Sequence, residues 1–155
     1  MDRLTGTWDR EQTEAFLTSE TVPIRLSCRT RGDDLWMLSL WYRYRDGALW
    51  CATSASADVV DYLAHDDRVA FEISTNSMPY RGVRGNGTAR VDPDREKTLL
   101  SELLERYLGG TDSPLAERLL SPDREEVRIR IDPSRVYTWD FSDRMKGSVD
   151  TPSER

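Results

Sequence analysis

Lysine is almost missing from this chain, with 2 residues in 155 against 20 arginines. Histidine occurs once and cysteine twice, and no apolar run approaches the roughly 20 residues that a bilayer span needs. Each scarcity removes a class of function. Cys28 and Cys51 both fall in apolar, strand-like runs; two cysteines make no disulfide framework, and without clustered histidines they make no zinc site. They read as buried free thiols. His65 falls at the end of a predicted helix, where a surface or helix-terminal role outweighs catalysis or haem ligation. There is no Ser/His/Asp set, no Cys/His pair, no metal cluster and no glycine-rich phosphate loop, so no catalytic or metal-ligating residue is assigned. A net charge of −6 disfavours nucleic acid, whose affinity is dominated by phosphate neutralisation. The opening residues "MDRLTGTWDREQTEAF" lack the apolar core of a signal peptide. The expectation is a cytoplasmic protein that engages neither nucleic acid nor membrane.

What is present is enough for a packed core. Charged residues make up 32% and the hydrophobic set 37%, the balance of a globular chain rather than a disordered one. Residues 1–141 read as one domain and 142–155 as a loose tail. "WDREQTEAFLTSE" reads as a helix capped by Asp9. "PIRLSCRT" alternates Ile24, Leu26 and Cys28 with Arg25, Ser27 and Arg29, the period of a half-buried strand. "LWMLSLWYRY" reads as one strand, apolar on both faces over much of its length and so covered on both. The tight turn "RDG" leads back into "ALWCATS". "SADVVDYLAHD" follows as a helix with Ser56 as its candidate cap, and "RVAFEIS" as a strand.

In "YRGVRGNGTARV", Val83, Gly85, Gly87, Ala89 and Val91 share one nearly bare face. Glycines at alternate strand positions signal close approach of a backbone, a bend or a ligand. "DPDREKTLLSELLERYLGG" has the strongest helical pattern, with Asp92 as its cap, Pro93 at the first turn and a leucine stripe ending at Gly109. "PLAERLLS" is a shorter helix, and "EEVRIRID" and "RVYTWDF" are two further strands. Hairpins and alternation together predict a mainly β (α+β) protein, a six- to seven-stranded antiparallel barrel with flanking helices.

The ordered set "PIRLSCRTRGDDLWMLSLWYRYRDGALWCATSASADVVDYLAHDDRVAFEI", "PYRGVRGNGTARV" and "RVYTWDF" resembles the flavin-binding split β-barrel proteins related to pyridoxamine 5′-phosphate oxidase. The match spans residues 12 to 141. The resemblance implies a homodimer holding flavin mononucleotide (FMN), or the related deazaflavin F420, at the subunit interface. It places the ring along Leu38, Ser39, Leu40 and Trp41. It places the phosphate near Ala52, Thr53 and Ser54 and the start of the helix that carries Asp58 and Val59. The partner would contribute from Tyr80, Arg81 and Gly82. A flavin-dependent oxidoreductase acting on a small molecule is the function implied; the alternative is a non-enzymatic binding or regulatory dimer that has lost tight flavin binding.

One stretch departs from the family's pattern. Where relatives carry Ser-x-Lys just inside that helix, this chain has Ala57, Asp58 and Val59. A helix N-terminus still offers free N–H groups and its dipole, and Thr53 and Ser54 can donate. Asp58 is nonetheless an anion at the end meant for an anion. A cation from elsewhere would restore the balance, with Arg25, Arg81 and Arg84 as candidates because arginine binds phosphate in bidentate fashion.

Overall fold

Alternation between apolar and polar side chains dictates most of the strands in the computed structural model, which describes residues 1–146. Twelve elements follow in order: β1 (Arg3–Gly6), α1 (Arg10–Ser19), β2 (Ile24–Arg29), β3 (Leu35–Leu40), β4 (Tyr42–Arg45), β5 (Ala48–Ser54), α2 (Asp58–His65), β6 (Arg68–Ser74), β7 (Arg81–Pro93), α3 (Thr98–Leu108), α4 (Pro114–Leu119) and β8 (Glu126–Asp140). All eight strands belong to one sheet, ordered β3-β2-β6-β7-β8-β5-β4, with β1 beside β8. Seven strands are antiparallel to their neighbours; β1 alone runs parallel, against β8. The sheet curls into a split β-barrel with four helices on its flanks, the mainly β class expected. It carries eight strands rather than six or seven, because β1 has too short a pattern to be read from sequence.

Three further differences have physical causes. The run 35–44 is not one strand. It breaks at Trp41, so that β3 pairs with β2 and β4 pairs with β5, and these two halves form opposite ends of the sheet path. The two C-terminal strands are one, a 15-residue β8 that pairs with β7 for almost its whole length. That pairing runs on to Pro93 opposite Val127, so Asp92 and Pro93 end a strand instead of starting a helix. Proline is tolerated where a strand's ladder ends. The helix starts at Thr98, preceded by Lys97 in the left-handed region, and it is Asp94 whose carboxylate accepts the Leu99 N–H at 3.1 Å. Of the expected tail, residues 142–146 form turns after β8, and 147–155 lie outside the described residues.

The core divides in two. Inside the barrel, Ile24, Leu26, Phe71, Ile73, Val83, Cys51, Ile129 and Ile131 pack with Phe16 and Leu17 of α1 and Val59 and Leu63 of α2. Asp9 caps α1 as expected, its carboxylate accepting the Gln12 N–H at 2.8 Å while Gln12 reciprocates. A second cluster lies outside the barrel wall. There Leu100 and Leu104 of α3 and Ala116 of α4 close on Trp41 and Ala52. Residue parity on β5 therefore separates two interiors, with Cys51 facing one and Ala52 the other. Among the described residues no helix is long and apolar enough to cross a membrane.

Candidate functional site: a ring-sized cleft beside Trp41

The break at Trp41 creates the site. β3 ends and β4 begins there, and the indole turns out of the barrel onto the phenol ring of Tyr107, 5.1 Å centroid to centroid and 8° from parallel. The Tyr107 hydroxyl is held by backbone: it donates to the Val22 carbonyl at 3.0 Å and accepts the Tyr42 N–H at 3.2 Å. The result is that Trp41, fixed by its stack on Tyr107, forms one wall of a cleft of about 500 Å³. Ser39, Leu40, Trp41, Ala52 and Thr53 line it from the sheet, and Leu100, Leu103, Leu115 and Leu119 from α3 and α4. An apolar cleft with few polar groups is the ordinary build of a small-molecule site.

Five of the residues singled out from sequence thus meet in one place. Arg25 reaches its edge, donating to Ser39 Oγ at 3.0 Å. Leu38 packs against the barrel core. Val59, although just past the start of α2, is buried in that core at 4% exposure. Ser54 is engaged locally, its Oγ 3.0 Å from that of Ser56. Tyr80, Arg81 and Gly82 do not join the cleft within one chain. Arg81 forms an ion pair with Glu20 at 2.7 Å and lies over the Phe16 ring, and a Cβ on Gly82 would meet the Ile73 carbonyl at 2.6 Å.

The corner at the start of α2 does not suit an anion. The cap position is Ala57, not Ser56, and no side chain caps the helix. Asp58 is exposed there, and with Asp61 it puts two carboxylates in the first turn, already favourable partners for the dipole. Among the described residues the one guanidinium bonded there, Arg31, is bidentate to Asp61 at 2.7 and 2.6 Å. His65 at the other end lies 3.5 Å from Asp33.

The cleft's polar end is instead the start of β8, which sequence reasoning missed. Glu126 pairs across the ladder with Ser54, bringing Glu126 and Arg124 beside Thr53 in the cleft. Their side chains bond at 3.0 Å. Burial pushes the Glu126 carboxyl up, and Arg124 opposes that rise. The Arg124 Nε is shut off from water without a partner. No short-range pattern foretells this; residues 53 and 124 meet only because β5 and β8 pair. Among the described residues no group of three or more His, Cys, Asp or Glu is placed to hold a metal.

A curled, eight-stranded sheet whose two ends meet at one aromatic residue, with a cleft beside it, defines a split β-barrel protein. The family model for pyridoxamine 5′-phosphate oxidase matches residues 9–139, and the chain belongs to that family. Solved structures agree on the fold. A conserved hypothetical protein from Mycobacterium tuberculosis is 22% identical, with a TM-score of 0.72 over 96% of this chain and 93% of that one. An F420 reductase is 18% identical, with a TM-score of 0.65 over 77% and 92%. A FAD-binding protein from Mesorhizobium loti is 18% identical, with a TM-score of 0.60 over 83% and 92%. No curated protein matches the chain.

Proposed function

We propose that this protein is a flavin-dependent oxidoreductase that binds FMN, or F420 in its place, in the cleft beside Trp41 and acts on a small molecule. The observation that carries the reading is the cleft itself: ring-sized, apolar on the α3–α4 side, with Trp41, held by its stack on Tyr107, and the residues Ser39 and Thr53 on the other. Membership of the family supports a flavin-type cofactor, and structural neighbours described as an F420 reductase and a FAD-binding protein lend support. A bound flavin would supply the electron-accepting ring; the chain would hold it, orient it and exclude water. Ser39, Leu40, Trp41, Ala52 and Thr53 are the residues that would hold the ring.

The same reading makes the protein a cytoplasmic homodimer. The edge strand β3 exposes Leu35, Trp36 and Met37 at 71%, 50% and 65%. An apolar, unpaired edge of this kind invites pairing or covering, and a second copy laid over it would cover the cleft's rim. Tyr80, exposed at 40%, is the member of the 80–82 group free to reach a partner's cleft. The experiment is direct. Purified protein titrated with FMN, and separately with F420, should take up one equivalent per chain with quenching of tryptophan fluorescence and a shifted visible spectrum. Protein that leaves both spectra unchanged would end this reading.

A further inference from the structure

The α2 corner repels an anion, yet the opposite side of Ser39 opens on a different surface. The pairing registers place Ser39 beside Arg25, Arg25 beside Glu72, Glu72 beside Arg84, Arg84 beside Tyr137 and Tyr137 beside Thr5. These six side chains form one continuous row across β3, β2, β6, β7, β8 and β1, on the outer face of the barrel. The next row runs through Met37, Ser27, Ala70, Asn86 and Arg135. Its small central members, Ser27 and Ala70, leave a hollow of about 480 Å³ walled by Arg25, Arg84, Arg135, Met37 and Tyr137. Neighbouring strands lie about 5 Å apart, so arginines on β2, β7 and β8 can converge on one ligand group.

The charge of this hollow is anomalous for the molecule. The chain carries a net −6, and on the same sheet Arg68, Arg81, Arg90, Arg128 and Arg130 each have a carboxylate partner. Arg29 is bonded to the Asp33 carbonyl instead, and what sets the hollow apart is that three arginines without a carboxylate partner line one concavity. Among the described residues Arg25, Arg84 and Arg135 have none. Arg25 donates to a neutral hydroxyl, and the Arg84 guanidinium lies over the Tyr137 ring at 4.7 Å and the Trp139 ring at 5.3 Å. Glu72, the one carboxylate lining the hollow, forms no salt bridge with them although it lies between Arg25 and Arg84 in the row; it accepts from Ser74 at 2.9 Å. Three guanidiniums against one carboxylate leave two positive charges in a concavity with one aromatic wall. That is a receptor for a multiply charged anion, because bidentate guanidiniums match phosphate and carboxylate geometry.

We infer that this arginine-walled hollow receives the anionic end of the ligand whose ring the cleft holds, a phosphate ester or polycarboxylate, replacing the cationic grip that Ala57, Asp58 and Val59 cannot provide. The inference rests on the ring-binding reading of the cleft. Ser39 joins the two, lining the cleft while its hydroxyl accepts from Arg25, so a tail leaving the cleft over Ser39 passes directly onto the arginine row.

FMN and riboflavin share a ring and differ by the phosphate, which makes them the probes. The full-length protein should bind FMN at least ten-fold more tightly than riboflavin. Arg84→Gln and Arg135→Gln should each weaken FMN by about ten-fold, the loss of one charged hydrogen bond, and leave riboflavin unchanged, while Arg84→Lys should lose less than Arg84→Gln. Asp58→Asn should change neither ligand by more than two-fold. Equal affinity for the two flavins, or FMN affinity indifferent to both arginine changes, overturns the inference while leaving the cleft's ring site standing. If neither flavin nor F420 binds, the ring reading has failed and inorganic pyrophosphate decides for the hollow. A saturable rise in melting temperature with pyrophosphate, lost in the Arg84→Gln, Arg135→Gln double variant, supports it; no rise overturns it.

Discussion

The indole of Trp41 lies face to face with the phenol of Tyr107, 66 positions away in the sequence and 8° from parallel. Offset aromatic contact is worth roughly 0.5–1.5 kcal/mol beyond area burial, but its larger effect is geometric: Tyr107 sets the angle at which Trp41 faces the cleft. Tyr107→Ala should weaken flavin binding by ten-fold or more and lower stability by about 3–4 kcal/mol, within the range for large aromatic-to-alanine changes. Tyr107→Phe keeps the stack and should keep the affinity, losing only about 1 kcal/mol for the hydroxyl's bonds. Fluorescence titration and urea unfolding of the two variants separate these contributions. Identical affinities for both would show that the stack is only packing.

Arg106, one residue earlier on α3, ties three elements together. Its guanidinium donates to the Thr18 carbonyl at 2.7 Å, the Leu17 carbonyl at 3.2 Å, the Tyr42 carbonyl at 3.1 Å and also the Glu20 carbonyl. These include the last carbonyls of α1, which have no partner inside the helix. Arg106→Ala should cost about 3 kcal/mol, since hydrogen bonds to a charged group contribute roughly 1.5–3 kcal/mol each but overlap here. Arg106→Lys should recover less than half, because an ammonium cannot span this fan of carbonyls. A midpoint of urea unfolding that does not move in Arg106→Ala would contradict this account.

Gly85 is where β7 presses against β8. A Cβ at this position would lie 2.2 Å from the Arg135 carbonyl oxygen and 3.0 Å from the Phe71 ring. The first neighbour is backbone in a long ladder and cannot step aside. Gly85→Ala should therefore destabilise by about 3 kcal/mol or more, the upper range of overpacking, whereas Gly110→Ala, with open space around its Cβ, should be near neutral. Equal stability of the two variants would refute the close approach.

Burial pushes the Cys51 thiol up to about 12 from the ordinary 9.0, and Cys28 also rises through burial. A thiol with a raised folded-state value keeps its contribution below the unfolded value, near pH 9, and loses it as pH climbs through the folded one. Unfolding midpoints should therefore fall progressively between about pH 9 and pH 12, and the fall should be shallower in Cys51→Ala. The buried phenol of Tyr42, also shifted up by burial, supplies part of the slope that remains. At pH 8.5 iodoacetamide should leave Cys51 unmodified in the native protein and label it in urea. Rapid native labelling would contradict the burial.

The fold was largely legible because its signals are local. Alternation in 24–29, 68–74 and 126–131 marks strands, and the capping box at Asp9 marks α1. What escaped was whatever depends on a distant partner. Nothing in "DPDREK" tells Pro93 that a ladder with Val127 will hold it extended, and nothing in "LWMLSLWYRY" tells Trp41 that its neighbours pair with different strands. The site divides the same way. Ser39 to Trp41, Ala52 and Thr53 were readable as a group because they match positions of the family's pattern, although β3 and β5 share no ladder and only the break at Trp41 brings them to one cleft. Val59 matched a family position by count, but helix periodicity turns it into the barrel core, a place where a lysine would bury an ammonium. Arg124, Glu126 and Arg135 come from the far end of the chain and reach the cleft and the hollow only through β8.

Trp41 sits where the two extremities of the sheet are covalent neighbours but share no ladder of hydrogen bonds. The circumference is therefore interrupted at one seam, and the cleft lies along it. A planar guest wedged there would act as a keystone, so that occupancy and rigidity rise together. Amide protons of β3 and β4, the loosest stretch of the wall when the seam is open, should exchange far more slowly once it is filled.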